Sequence, residues 1–269
     1  MTEQDIRRHM NRTATVGCEI RCFDCIDSTN TYLKRAAQDG APEGLVVLAD
    51  CQTAGRGRMD RSFQSAAGKG VYLSVLLRPQ LPLERLLPMT ALAGVAVCDA
   101  VERVCGVRPG LKWPNDPVLG NKKLGGILTE LVTDAEQGNA LVLGIGINVL
   151  HETGEFSPEI AELATSLALE LGRPVDRVKL AAVLIEELDR MYTAFKKGEL
   201  AAYLAAYRDA CVNLGRQVRL LREEHEELAT AVDVDESFGL VICRADGQKE
   251  TVRSGEVSVR GLYGYVDGT

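Results

Sequence analysis

After Gly215 the chain breaks into short strand-like runs at 217–222, 228–234, 238–243, 249–254 and 256–260, separated by Asp, Glu, Gly and Ser. Such runs are too short to cover a helix and predict strands that close on one another as a small β-barrel. The change of character sets a boundary near residue 214. Upstream, strands and helices are mixed. A short helix is expected at 5–10 and a strand at 17–24. Ser28-Thr29-Asn30 offers N-cap oxygens to a helix whose apolar stripe is Tyr32, Leu33, Ala36 and Ala37, stopped by Gly40. Strands are expected at 45–51 and 71–77, and a long apolar helix at 88–105 closed by Gly106. Pro114 cannot donate to a ladder, so 112–116 reads as a strand end and loop. A hairpin over 118–132 turns at Gly120-Asn121 and returns along 125–132. A strand at 141–149 and helices at 158–170, 175–196 and 199–212 complete the region. Strands joined by single hairpins predict an α+β domain over 1–213, with a mixed, mainly antiparallel sheet and flanking helices. The small barrel occupies 214–269.

The composition narrows what such a fold can do. The chain has 269 residues, 46% of them apolar, and a formal charge of −7. No apolar run approaches the roughly 20 residues that span a bilayer. The charged N-terminus is followed by no apolar segment of a secretory signal, which points to the cytoplasm. Eight cysteines in a chain this long read as reduced thiols. Cys18, Cys22 and Cys25 have the spacing of a three-thiolate iron–sulfur site, but Asp24 stands where an aromatic residue is usual. Cys18, Ile20 and Cys22 alternate with Glu19 and Arg21, so Cys18 and Cys22 are expected to be small core residues. His9, His151 and His225 are far apart and form no metal-ligand motif. There is no nucleophile elbow.

Against this acidic background, Arg56, Arg58 and Arg61 fall in the run Gly55-Arg56-Gly57-Arg58-Met59-Asp60-Arg61. Glycines let backbone approach an anion, and guanidiniums hold phosphate or carboxylate with paired hydrogen bonds. The run reads as a flexible clamp for one small, highly charged anion. Known nucleotide loops are missing. Ala67-Gly68-Lys69-Gly70 lacks the Ser or Thr of a Walker loop, and Gly144-Ile145-Gly146 lacks a third glycine.

Four segments taken together are specific. They are Ser28-Thr29-Asn30, the arginine run with Gln52 ahead of it, Lys112-Trp113-Pro114-Asn115-Asp116, and Lys122-Lys123-Leu124-Gly125-Gly126. Their order and spacing resemble those of biotin protein ligases, and the Gly144–Asn148 strand and the C-terminal segment from Gly255 to Arg260 extend the likeness. The resemblance implies a biotin/lipoate ligase-like fold, related to class II aminoacyl-tRNA synthetase cores, with an SH3-like C-terminal barrel. It implies that biotin and ATP, with Mg²⁺, give biotinyl-5′-AMP, and that a lysine of a biotin carboxyl carrier protein domain then takes the biotinyl group. The reaction needs cations rather than a protein nucleophile, since the biotin carboxylate is already ionised at neutral pH.

By the same resemblance, Ser28, Thr29, Asn30, Gln52, Arg56, Gly57, Arg58 and Lys123 bind biotin. Arg58, Arg61, Asn115, Asn148 and Arg260 face ATP. Lys123, Arg58, Lys112 and Asp116 carry catalysis, and Mg²⁺ is expected with ATP, near Asp116. Glu256 and Arg260 belong to the barrel and serve ATP binding, closure or a structural ion pair. Two residues depart from the family's loop: Asp60 replaces a glycine and Phe63 a tryptophan. Asp60 either weakens adenylate retention or turns away to pair with Arg58 or Arg61. Only 27 residues precede Ser28, and no basic recognition helix is present, so a ligase-only form that binds no DNA is expected. A homodimer is left open. The rival readings are a lipoate ligase-type acyltransferase and a non-catalytic metabolite sensor.

Overall fold

A computed structural model describes residues 1–11, 13–59, 61–133, 138–222, 225–253 and 258–261, the side chains of 222, 225 and 258–261 excepted. In chain order the elements are α1 (Glu3–His9), β1 (Ile20–Phe23), α2 (Thr29–Gln38), β2 (Val46–Ala49), β3 (Gly70–Leu77), α3 (Met89–Cys105), β4 (Gly110–Lys112), β5 (Asp116–Leu119), β6 (Lys122–Lys123), β7 (Gly125–Val132), β8 (Ala140–Asn148), α4 (Leu167–Leu171), α5 (Arg177–Lys197), α6 (Ala201–Ala210), β9 (Gln217–Arg222), β10 (His225–Val234), β11 (Leu240–Cys243), β12 (Lys249–Val252) and β13 (Ser258–Gly261). A 3₁₀ turn at Leu83–Leu86 precedes α3.

The main sheet runs β1-β2-β3-β8-β7. Only β1 and β2 are parallel, because a helix crosses between them; the other pairs are antiparallel. Side-chain alternation splits the sheet between two layers. Val71, Leu73, Val75 and Leu77 of β3, with Leu141, Leu143, Ile145 and Ile147 of β8, join the large core under α3 and α5. Leu76 of β3, Val142 of β8 and Val132 of β7 face the other way, onto Leu33 and Ala37 of α2. Helix α3 is apolar nearly all round and buried, as its sequence predicts. Arg103 on its exposed side reaches Glu186 at 3.0 Å and Glu187, which accounts for the charge that interrupts the apolar rhythm of α5.

The hairpin expectation is half met. Gly120 and Asn121 do turn, both with positive φ (55° and 61°), but the turn joins β5 to the two-residue β6 in a small sheet ordered β4-β5-β6. The chain then leaves that sheet, and β7 pairs with β8 over its whole length. The helix expected at 158–170 is also corrected. Turns occupy most of it, and only Leu167–Leu171 is helical. Backbone bonds from Lys123 N to Leu163 O and from Thr165 N to Lys123 O hold residues 163–165 alongside β6, and a helix running through 170 would not allow them. The core role expected of Cys18 fails as well, while Cys22 packs against the large core. Gly17 (φ 85°) turns the chain, Cys18 is exposed before β1 starts, and Cys22 is half-buried.

The C-terminal strands form an antiparallel sheet ordered β12-β11-β10-β9-β13. It docks where the K-W-P-N-D run turns. Trp113, buried to 2%, donates Nε1–H to Phe238 O at 3.0 Å, and its backbone N–H donates to Asn213 Oδ1 at 2.7 Å. The peptide bond between Trp113 and Pro114 is cis.

Candidate active site

The site opens where the α2-facing side of the main sheet runs out of side chains. Along β8 that face reads Ala140, Val142, Gly144, Gly146, and the partners of the two glycines are Ser74 and Tyr72 on β3 and Leu128 and Gly126 on β7. Core packing therefore gives way to a cleft of about 600 Å³. The glycines are required by close neighbours. A Cβ on Gly144 would lie 2.1 Å from Asn30 Oδ1, and one on Gly146 would lie 2.5 Å from the Phe63 ring. Phe63 thus docks the end of the arginine run on the sheet, edge-on to Tyr72 with ring centroids 6.3 Å apart.

One wall is the start of α2. Ser28 caps the helix, its Oγ accepting from Thr31 N–H. The Thr29 N–H and hydroxyl both reach Gln52 Oε1, at 2.9 and 3.1 Å, and Gln52 Nε2 donates to Ser65 Oγ at 2.9 Å. Ser28, Thr29 and Asn30 are nearly fully buried, so these groups form a fixed floor and cannot be solvated freely.

The arginine run folds back on itself. Arg56 bridges Ser62, Gly57 N–H donates to Arg61 O at 2.7 Å, and Phe63 N–H donates to Gly55 O at 2.9 Å. Arg58 donates to Asn115 Oδ1 at 3.1 Å, and burial lowers its pKa from the usual value, opposed by the charge of Asp116. Arg56 lies 3.9 Å from Glu130. Asp60, and with it the expected pairing to Arg58 or Arg61, lies outside the described residues.

The opposite wall comes from β4 to β6. Lys112 is 7% exposed. Asn115 is tied to β7 by its Nδ2–H to Ile127 O and by Ile127 N–H to Asn115 O, both 3.0 Å. Lys123 Nζ donates to Asp116 Oδ1 at 2.7 Å. At the far end, Asn148 Nδ2 donates to Thr165 O at 3.0 Å, beside Phe156, Ile160, Leu163 and Ala164. Phe156 stacks on the buried His151 with centroids 4.8 Å apart.

Ser28, Thr29, Asn30, Gln52, Arg56, Gly57, Arg58, Arg61, Lys112, Asn115, Asp116, Lys123 and Asn148 all line this one cleft. Arg260 pairs with Arg219 through the backbone, and its side chain lies outside the described residues, as does Glu256. Sequence reasoning missed Phe156 and Arg219, which also line the cleft. Phe156 is a lone aromatic in a polar stretch, a weak signal. Arg219 alternates with Val218 and Leu220 and looks like any solvated strand residue. Among the described lining residues the charges are Arg56, Arg58, Arg61, Lys112, Lys123 and Arg219 against the single acid Asp116. A protein of net charge −7 therefore concentrates positive charge in one cleft, the arrangement that attracts and holds a polyanion.

Residues 22–148 match the model of the biotin/lipoate A/B protein ligase family, and residues 214–260 match that of the biotin protein ligase C-terminal domain. A biotin–[acetyl-CoA-carboxylase] ligase of Mycobacterium tuberculosis is 34% identical, over 86% of this chain and 85% of that protein. The bifunctional ligase/repressor BirA of Bacillus subtilis is 31% identical, over 93% of this chain and 77% of its own length. Among solved structures, a biotin protein ligase from Aquifex aeolicus in complex with biotin and ATP superposes with a TM-score of 0.80 at 32% identity, covering 91% of this chain and 99% of that one. With the cleft, the sheet order and these likenesses in agreement, the chain belongs to the biotin protein ligase family.

Proposed function

We infer that this chain is an ATP-dependent ligase that activates biotin as biotinyl-5′-AMP and transfers it to a lysine of a biotin carboxyl carrier protein domain. The observation that carries this reading is the cleft itself. Amide and hydroxyl groups at its floor suit a ureido head with two N–H donors and one carbonyl. Next to them stand cations that suit a carboxylate meeting a phosphate. In the first step the biotin carboxylate attacks the α-phosphorus and pyrophosphate leaves. Arg56, Arg58 and Lys123 hold the two anions together, and Lys112 and Arg61 add to the positive field where charge builds up. In the second step the carrier lysine attacks the acyl carbon and AMP leaves. Asp116 and Asn115 orient that amine.

Asn148 and Phe156 belong to the nucleotide end of the cleft. Mg²⁺ fits this donor set as an ion brought by ATP. Asp116 is one carboxylate, no cluster of three acidic, His or Cys ligands exists among the described residues, and Mg²⁺ bound to phosphates needs only one or two protein carboxylates. Bound there, it offsets phosphate charge. We assign residues 1–213 to catalysis and 214–269 to a small domain that closes on the K-W-P-N-D turn. We place the enzyme in the cytoplasm, a reading supported by eight unpaired cysteines. No helix among the described residues is long and apolar enough to cross a membrane. The acidic charge argues against a DNA surface. ATP–pyrophosphate exchange tests the activity. Exchange with biotin alone is the expected result, exchange with lipoate makes this a lipoate ligase, and binding without exchange makes it a sensor.

A further inference from the structure

Two of the eight cysteines face each other beside the cleft floor. Strands β1 and β2 run parallel, with Cys22 beside Leu48 and Phe23 beside Ala49, and the same offset returns at the bridge between Ile26 and Gln52. Cys25 therefore stands opposite Cys51. Ile26 N–H donates to Cys51 O at 3.2 Å and Thr53 N–H to Ile26 O at 2.9 Å, so the backbone holds this register past the ends of the strands. Opposite positions on neighbouring strands lie about 5 Å apart, within the Cα separation that a disulfide spans. The two thiols meet there: a hydrogen bond to Cys25, and after it burial, raises the pKa of Cys51. Cys25 is exposed and Cys51 half-buried, so a reagent reaches the pair through Cys25.

The remaining thiols are engaged otherwise. Burial pushes Cys22 and Cys211 up to about 11 and Cys98 up to about 12, and Cys105 is buried too. Cys18 donates to Glu43 O at 3.2 Å and Cys243 to Arg244 O at 3.6 Å. No group of three His, Cys, Asp or Glu side chains among the described residues could hold a metal ion, so the pair is a dithiol and not part of a metal site. Its place matters because Cys51 is followed by Gln52, whose amide accepts from the Thr29 N–H and hydroxyl and donates to Ser65. A disulfide needs Cβ atoms about 3.8 Å apart, about 1 Å closer than opposite strand positions. Closure therefore draws Cys51 toward Cys25 and shifts the root of the Gln52 side chain. A shift of that size exceeds the slack in hydrogen bonds of about 2.7–3.2 Å.

We propose that Cys25 and Cys51 form a reversible dithiol–disulfide pair, oxidised by a small organic disulfide of the glutathione type, and that its closure weakens biotin binding through Gln52. The pair stands on the register alone, while its effect on the ligand rests on the biotin reading of the cleft. In the first step the exposed Cys25 thiolate attacks one sulfur of the small disulfide. That sulfur–sulfur bond breaks, a mixed disulfide forms on Cys25, and one small thiolate leaves and takes a proton from water. The mixed disulfide removes the thiol and the charge that had held the proton on Cys51. Cys51 then gives its proton to solvent and attacks the Cys25 sulfur, and the second small thiol leaves. Two protein thiols are oxidised, and one small disulfide is reduced to two thiols. An exposed disulfide of this kind is labile, so a reducing thiol reopens it.

The test treats the reduced full-length protein with glutathione disulfide, alkylates the remaining thiols and maps the peptides by mass spectrometry. A peptide pair linked through Cys25 and Cys51, reopened by dithiothreitol, is the expected product. C25S should give no link, and C51S should stop at a mixed disulfide on Cys25. Isothermal titration of biotin without ATP then compares each protein before and after oxidation. Oxidised wild type is expected to bind about ten-fold more weakly, the loss of roughly one hydrogen bond, and to recover on reduction. Oxidant should leave the affinity of C25S where it was. The proposal is overturned if no link forms, if Cys25 links to a different cysteine, or if oxidised wild type binds as the reduced protein does. It is overturned equally if C25S loses affinity on oxidation, which would place the effect on another thiol, or if thermal melting shows that oxidation unfolds the protein. Reduced wild type that binds no biotin would refute the function, and the peptide map would still decide the pair.

Discussion

Lys123 Nζ lies 2.7 Å from Asp116 Oδ1, so the lysine to which we assign the two substrate anions is already paired with the one acid among the described residues of the cleft. The pair is built by the smallest sheet. Lys123 sits in β6 opposite Val118 of β5, and Asp116 opens β5 two residues earlier. An ion pair across so short a hairpin fixes the ammonium direction before any ligand arrives, and it leaves Lys123 32% exposed toward the cleft.

Lys123→Ala should therefore slow adenylation by about 10²–10³, the usual cost of removing one donor to a developing charge. The melting temperature should change little, because a half-buried hairpin lysine adds little to the core. Single-turnover formation of biotinyl-AMP measures it. Adenylation at wild-type rate would make Lys123 a surface residue.

Arg58 ties the arginine run to the opposite wall through Asn115. Arg58→Gly cuts that tie and removes a cation from the adenylate. The variant should release biotinyl-AMP and label lysines of a bystander protein as well as carrier domains. Hydrogen exchange over 55–67 should slow when wild-type protein binds biotinyl-AMP, and should slow less in the variant. Unchanged exchange and strict carrier labelling would show that the run is not a lid.

Gly146→Ala tests why the site strand carries glycine. Its Cβ would fall 2.5 Å from Phe63, so the ring must leave its seat beside Tyr72. Biotin affinity should fall about ten-fold or more as the end of the arginine run comes loose, while stability drops by only about 1–3 kcal/mol. The double variant with Phe63→Ala should be no worse than Gly146→Ala alone. An additive loss in that double variant would show that Phe63 is not what the glycine accommodates.

His151 is fully buried, neither ring nitrogen has a hydrogen-bond partner among the described residues, and burial lowers its pKa to about 4. The unfolded value is about 6.5, so between these values the unfolded chain binds the extra proton. The stability that neutral His151 allows is whole above about pH 6.5 and is lost progressively as the pH falls toward 4. His151→Phe keeps a ring for Phe156 and cannot titrate. Melting curves should show wild type losing ground to this variant below pH 6.5. A constant difference across that range would mean that His151 does not stay neutral in the fold.

Local chemistry was legible in the sequence where one segment decides it. The Ser28 cap, the Gly120-Asn121 turn and the β8 strand all follow from neighbours along the chain. Partner choice was not. The alternation of 125–132 shows a strand but does not say whether it lies beside β5 or β8, and the register with the nine-residue β8 outweighed the nearer hairpin. The apolar spacing of 158–170 suits a helix, yet its backbone is held by Lys123 from a strand far upstream. Cys18 shows the same limit in reverse, because a glycine turn one residue earlier delays β1. The arginine run was found through residue types suited to an anion, and the other cleft residues through the resemblance to biotin protein ligases. Phe156 and Arg219 carry no such local mark and enter only through the packing of distant segments.

The most direct measurement is mass spectrometry of a biotin carboxyl carrier protein domain incubated with the purified protein, biotin, ATP and Mg²⁺, beside a competent ligase as control. One biotinyl group on one lysine, absent when either biotin or ATP is left out, is the expected result. An unmodified carrier, in a reaction where the control ligase labels it, would contradict the assignment of this cleft to biotin transfer.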